Sequence, residues 1–183
     1  MYCDRLKASD RDAFGALFRL MRGELLRYVR SIVHDDATAH DLIQDVFVSL
    51  WGLRESLDPS KSLKAYLYQM ARNRAIRHLR DAKIHDRKHD EIKTLASGTV
   101  PQREWPDSNV DVVELTSKLK SWVDELPDRQ REALLLSRYQ GLSHKEIADI
   151  MAISPRTVNN HIMRALGYLQ LQILAFEPSL LES

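Results

Sequence analysis

Only one cysteine, Cys3, occurs in 183 residues. The chain can therefore close no internal disulfide and build no cysteine-based metal cage, a usage that suits a reducing cytosol. No apolar run approaches the ~20 residues that span a bilayer. The opening Met1-Tyr2-Cys3-Asp4-Arg5 lacks the apolar stretch of a secretory signal. The expectation is a cytoplasmic protein without membrane insertion. Glycine and proline number six each, too few for a low-complexity chain. Strand signals are scarce too, with no sustained alternation and no Asn-Gly or Asp-Gly hairpin turn. Net charge is nearly absent: 27 Lys and Arg oppose 26 Asp and Glu, leaving +1. That balance argues against a uniformly basic nucleic-acid coat.

What is present is 44% apolar residues, enough for a packed core, and charge sorted into blocks. Residues 35–58 carry Asp35, Asp36, Asp41, Asp45, Glu55 and Asp58 against Arg54 alone. Residues 61–88 carry Lys61, Lys64, Arg72, Arg74, Arg77, Arg80, Lys83, Arg87 and Lys88 against Asp81 and Asp86. A solvated helix face usually mixes its signs, so this segregation asks for two different partner surfaces. Plain solubilising charge is the alternative.

Helical period dominates. Phe14, Leu17, Phe18, Met21, Leu25, Tyr28, Val29 and Ile32 recur at three- and four-residue steps and predict one long amphipathic helix. Leu42, Val46, Leu50 and Leu53 predict the buried stripe of a second, starting near Asp36. After a break at Ser56-Leu57-Asp58-Pro59-Ser60, a third helix is expected over 62–83, with Leu63, Tyr66, Leu67 and Met70 inward. Three helices with short connections make a bundle. From about Asp86 to Asn109 the period dissolves into Gly, Pro and polar residues, as in an interdomain linker. It resumes at Val112, Leu115, Leu119, Trp122 and Leu126. The expected fold is all-α: two small helical domains on a tether.

The sharpest local grammar lies between Leu126 and Leu169. Leu126-Pro127-Asp128 opens a helix ending at Tyr139-Gln140-Gly141, with Gly141 expected at C′. Ser143-His144-Lys145-Glu146 matches a capping box. Ser154-Pro155 supplies an N-cap and an N1 proline for the next helix. A short capped helix followed this closely by another, with Ala148 small and Ile147, Ile153, Val158 and Ile162 apolar, predicts a DNA-binding helix-turn-helix. Arg156, Thr157, Asn159, Asn160 and Arg164 then face base edges in the major groove. Arg pairs bidentately with guanine and Asn with adenine, so these types have a use there. A helical hairpin with ordinary polar surface is the plainer reading.

In the N-terminal half, Asp41, Gln44, Asp45 and Val48 share one face of the second helix, with Trp51 close by. An acidic face with apolar anchors suggests a protein interface, whereas Val48 and Trp51 as core edge is the alternative. On the third helix Asn73, Arg77 and Arg80 fall at i, i+4 and i+7, flanked by Arg74 and Lys83, with Tyr66 and Tyr68 upstream. Cations interleaved with aromatics suit single-stranded nucleic acid, although Tyr66 also belongs partly to the core. No His-Glu-x-x-His pair, nucleophile elbow or Gly-rich phosphate loop occurs, so no catalysis and no cofactor are assigned. His85 and His89, at i and i+4, fit either a metal pair with a third partner or a polar connector.

Two segments resemble a known family. Asp41-Leu42-Ile43-Gln44-Asp45-Val46-Phe47-Val48-Ser49-Leu50-Trp51 and Ala65-Tyr66-Leu67-Tyr68-Gln69-Met70-Ala71-Arg72-Asn73-Arg74-Ala75-Ile76 resemble the second conserved region of bacterial extracytoplasmic-function sigma factors. Leu126-Pro127 through Leu169, including Gly141-Leu142-Ser143-His144-Lys145-Glu146-Ile147-Ala148, is similar to their fourth region. The resemblance implies region 2 over 1–86, a linker over 87–110 and region 4 over 111–176. It implies that Asp41, Leu42, Gln44, Asp45, Val48 and Trp51 dock on the clamp helices of the RNA polymerase largest subunit, with the flap as a further polymerase contact. Lys61, Lys64, Tyr66, Asn73, Arg74, Arg77, Arg80 and Lys83 would hold the start-proximal (−10) promoter element as single strand. A base would be captured near a loop expected at 81–87. Lys145, Ser154, Arg156, Thr157, Asn159, Asn160 and Arg164 would read the upstream (−35) element as duplex, and an anti-sigma factor is a further implied partner. The rival is an activator of the response-regulator type, whose helix-turn-helix uses a similar Glu146-Ile147-Ala148 and Thr157-Val158 string. It would need a ligand-binding or receiver domain upstream, normally α/β, which the helical, charge-segregated N-terminal half does not offer.

Overall fold

The computed structural model describes residues 2–89 and 110–176, and every regular element among them is helical. The chain divides into two compact units, Met1–Gln102 and Arg103–Ser183. Most of the expected linker lies outside the described residues.

The first unit begins with a short helix, α1 (Tyr2–Lys7), which the periodicity does not anticipate. It is pinned where Arg5 pairs with Asp10 at 2.8 Å and Lys7 donates to the Leu57 carbonyl at 3.2 Å. The next helix, α2 (Arg11–Val33), is opened by Asp10, whose carboxylate accepts from the Ala13 N–H at 2.9 Å. It closes at His34, left-handed at φ 57°. Asp35 immediately caps α3 (Asp36–Gly52), accepting from the Thr38 N–H at 2.7 Å. A 3-10 turn (Arg54–Ser56) leads to α4 (Leu63–His89), started by Ser62, which accepts from the Ala65 N–H at 3.2 Å.

The helices α2, α3 and α4 pack pairwise into a bundle. Its core joins Leu17, Leu25 and Val29 to Ile43, Val46 and Leu50 and to Leu67, Tyr68, Ala71 and Ala75. Edge-on rings lock the α2–α3 seam, Phe18–Phe47 at 4.8 Å between centroids and Phe14–Trp51 at 5.0 Å. The buried stripe of α3 corrects the expectation. Ala39, Ile43, Val46, Phe47 and Leu50 face inward, while Leu42 is half-buried and Leu53 is exposed. A helix wedged between two partners buries an arc wider than one stripe, and its centre is set by both neighbours. Leu53 falls past the helix end and turns outward.

A second correction concerns the loop expected at 81–87, which is helix. The segment 63–89 contains neither Gly nor Pro, so nothing in it stops α4.

In the second unit α5 (Val110–Glu125) and α6 (Asp128–Arg138) precede α7 (His144–Met151) and α8 (Pro155–Phe176). Leu126, Leu134 and Ala165 form a core cluster, and Trp122 packs on Phe176 with centroids 5.9 Å apart. Tyr168 donates to Glu125 at 2.5 Å, tying α8 to the end of α5. Gly141 adopts φ 62°, the left-handed conformation expected of it. It lies one residue later than C′, because Tyr139 is already the cap of α6.

Candidate functional site

Three surfaces gather the charged and polar residues singled out above. The first is the outer face of α3. Asp41, Gln44 and Asp45 are exposed there, and Val48 is 71% exposed. The six acids of the 35–58 block divide sharply by local structure. Asp35 caps α3, and hydrogen bonds from the Thr38 N–H and hydroxyl hold its carboxyl below the usual range. Asp36 pairs with Arg30. Glu55 pairs with Arg54 at 3.3 Å. Asp58 accepts from the hydroxyl and N–H of Ser60 at 2.7 and 3.0 Å, which lowers its pKa as well. Asp41 and Asp45 have no such engagement with a described cation, so their charge is available to another molecule. Trp51 is half-buried, with its ring against Phe14 and the Arg54 guanidinium 4.9 Å from its centroid. It belongs to the α2–α3 seam as much as to the surface, and Leu42 sits half-buried on the flank.

The second surface is α4. Asn73, Arg77, Arg80 and Lys83 are exposed, as is Lys61 ahead of the helix. Ile76 and Ile84 emerge among them at 44% and 47% exposure. Lys64 is half-buried and pairs with Glu24 at 3.4 Å, while Tyr66 is half-buried. Arg74 reaches across to α3 and donates to the Ser49 hydroxyl. Two residues of the basic stretch are unavailable to a ligand. Arg72 is buried, and Tyr68 is fully enclosed, edge-on to Tyr28 at 5.1 Å with its hydroxyl 3.5 Å from Glu24. Burial, with Glu24 beside it, pushes the Tyr68 phenol far above its ordinary pKa. Tyr68 is thus a core residue and not the stacking platform that the interleaving suggested.

The third surface is the helix-turn-helix of α7 and α8. Ser143 Oγ accepts from the Glu146 N–H at 3.3 Å, and the Glu146 carboxylate accepts from the Ser143 N–H at 2.8 Å: the capping box is complete. Ser154 caps α8, accepting from the Thr157 N–H at 3.1 Å, and its hydroxyl meets that of Thr157 at 2.8 Å. These two side chains shape the turn into α8. Val158, Ile162 and Ala165 anchor α8 to the core through one stripe. Arg156, Asn159, Asn160 and Arg164 are left exposed, with Lys145 exposed on α7. Met163 also stands out, 60% exposed among them. It lies four residues, about one helical turn, after Asn159.

Among the described residues no three His, Cys, Asp or Glu are placed to hold a metal. The side chains of His85 and His89 lie outside the described set. No described helix is long and apolar enough to cross a membrane.

Comparison with known proteins finds two matching family profiles. The family profile of sigma-70 region 2 matches residues 17–84, and that of sigma-70 region 4 matches residues 118–169. The ECF RNA polymerase sigma factor SigM of Bacillus subtilis is 31% identical over 153 residues, covering 81% of this chain and 88% of that protein. SigW of the same organism is 25% identical over 174 residues, covering 92% of this chain and 93% of SigW. Among solved structures, the sigma factor RpoE of Bartonella quintana, in complex with the anti-sigma factor NepR, superposes with a TM-score of 0.67. It is 23% identical, and the match covers 87% of this chain and 96% of that one. The likeness extends to the fold of both units.

Proposed function

This chain belongs to the ECF RNA polymerase sigma factors, and on that premise we propose which of its surfaces does what. As a sigma factor it binds core RNA polymerase and directs initiation at promoters whose two elements it recognises. The region 2 match fills the half where a response regulator would keep its receiver domain, so the activator reading is set aside. RNA synthesis itself is the work of core polymerase.

Region 2 function is assigned to 1–86, a connecting role to 87–110 and region 4 function to 111–176. The α3 face of Asp41, Gln44, Asp45 and Val48, flanked by Leu42 and Trp51, docks on the clamp helices of the largest subunit, and region 4 meets the flap. The exposed Asn73, Arg77, Arg80 and Lys83 of α4, with Lys61 ahead of the helix, Lys64 and Tyr66 in its first turn and Arg74 next to Asn73, hold the −10 strand. Along α8, Arg156, Asn159, Asn160 and Arg164 read the −35 duplex while Lys145 grips phosphate. Ser154 and Thr157 set the angle at which α8 enters the groove. The site of action is the cytoplasm, and a protein inhibitor of the anti-sigma kind is a further partner.

The observation that carries the docking assignment is the division of the acids. Four of six are consumed by caps and pairs, and the two left over share an exposed face with Val48. Asp45→Arg tests it. The change points away from the core, so circular dichroism should match wild type while affinity for core polymerase falls by at least about tenfold. Undiminished binding would remove α3 from the interface.

A further inference from the structure

We propose that Met163 reads the 5-methyl group of a thymine in the upstream promoter element. The inference rests on α8 lying in the major groove and names one more specificity residue within that site.

The helix geometry singles Met163 out. Val158, Ile162 and Ala165 are the buried stripe of α8. Arg156, Asn160, Met163 and Gly167 repeat at steps of four, three and four, and so form the line diametrically opposite. Met163 occupies that line one turn beyond Asn159 and Asn160, with Arg164 beside it. All four are exposed. Met163 is an apolar side chain 60% exposed at the centre of a polar arc, on the side of α8 away from the buried stripe.

Gly167 sharpens the point. A Cβ built there meets nothing within 4 Å. Helical side chains lean toward the N-terminus, so a larger residue at 167 would lie over Met163. Glycine, a poor helix former, leaves the thioether bare on that side.

The chemistry of the major groove supplies a matching partner. Each base edge there offers hydrogen-bond donors or acceptors, and only thymine adds an apolar group, the C5 methyl. Arg and Asn neighbours answer the polar edges; a flexible, polarisable thioether answers the methyl.

The test uses holoenzyme reconstituted from core polymerase and the full chain. A duplex pool randomised over the upstream element is selected for binding, and each thymine of the selected sequence is then replaced in turn by deoxyuridine, which removes only the methyl. The wild type should lose affinity about fourfold at one thymine, the factor that burying one methyl group supplies. Met163→Gln should bind the thymine duplex more weakly and show no further loss with deoxyuridine at that position. Met163→Leu should keep the deoxyuridine penalty, and Arg164→Ala should bind more weakly overall yet keep it too. Indifference of the wild type to every replacement, a selected element without thymine, or a penalty that survives in Met163→Gln overturns the assignment. Failure of the underlying reading looks different: selection would return no upstream consensus, and Asn160→Ala would leave discrimination unchanged.

Discussion

Ala152 closes α7 at φ 54°, and its N–H returns to the Ala148 carbonyl. A residue with a Cβ adopts that left-handed conformation at a cost of roughly 1–2 kcal/mol, and here the cost lies in the turn that aims α8. Ala152→Gly relieves the clash while giving the unfolded chain more freedom to lose. The net expectation is a gain of about 0.5–1 kcal/mol, visible as a higher urea midpoint for the second unit at unchanged m-value. A loss would mean that unfolded-state entropy dominates at this position. Single residues also mark where reading from sequence stopped. Tyr66 and Tyr68 are chemically identical and two positions apart, about 200° around a helix. One is half-buried and the other wholly enclosed. Only the direction from which α2 packs on α4 separates them, and that direction is not written in the local spacing.

Among the elements, those governed by contacts a few residues apart were legible. The Ser143–Glu146 box, the Ser154-Pro155 start and the left-handed Gly141 are local bargains between a side chain and nearby backbone, and each occurs where the spacing placed it or one position away. The inward stripe of α3 was not legible, because it answers to α2 and α4 at once. Nor was the length of α4, whose far end continues for want of a breaker rather than by any positive signal. The contrast between α7 and α8 yields a functional expectation at this scale. Asn160→Ala, or Arg156→Ala, should each lose about 1–3 kcal/mol of discrimination at one base pair. Lys145→Ala, on the preceding helix, should weaken binding to all sequences alike and reduce the slope of log affinity against log salt by about one. Binding of the holoenzyme to single-base variants, titrated at several salt concentrations, separates the two patterns.

For the whole molecule the governing quantity is charge. With +1 overall and two acids on α3 that pair with no cation among the described residues, few neutralised phosphates go unopposed when the free chain meets duplex DNA. One helix-turn-helix without a partner reads only one short site, where repressors use two. The isolated chain is therefore expected to bind promoter duplex weakly at physiological salt and to become sequence-specific once core polymerase covers the acidic face and fixes both readers on one scaffold. Anisotropy titrations of labelled promoter with the chain, with core and with both decide it. Tight specific binding by the chain alone would contradict the expectation.

The hydrogen bond from Arg74 to Ser49 joins the helix proposed to face promoter to the helix proposed to face polymerase. Ser49 lies one turn from Asp45, so a displacement of α3 by a partner bound at that face would reach Arg74, near the middle of α4. Equilibrium linkage then runs in both directions. By whatever factor polymerase tightens the grip of α4 on an unpaired promoter strand, that strand must tighten the grip of α3 on polymerase. A short single-stranded oligonucleotide carrying the −10 sequence should accordingly act as an allosteric effector of holoenzyme assembly, slowing its dissociation without touching the polymerase interface.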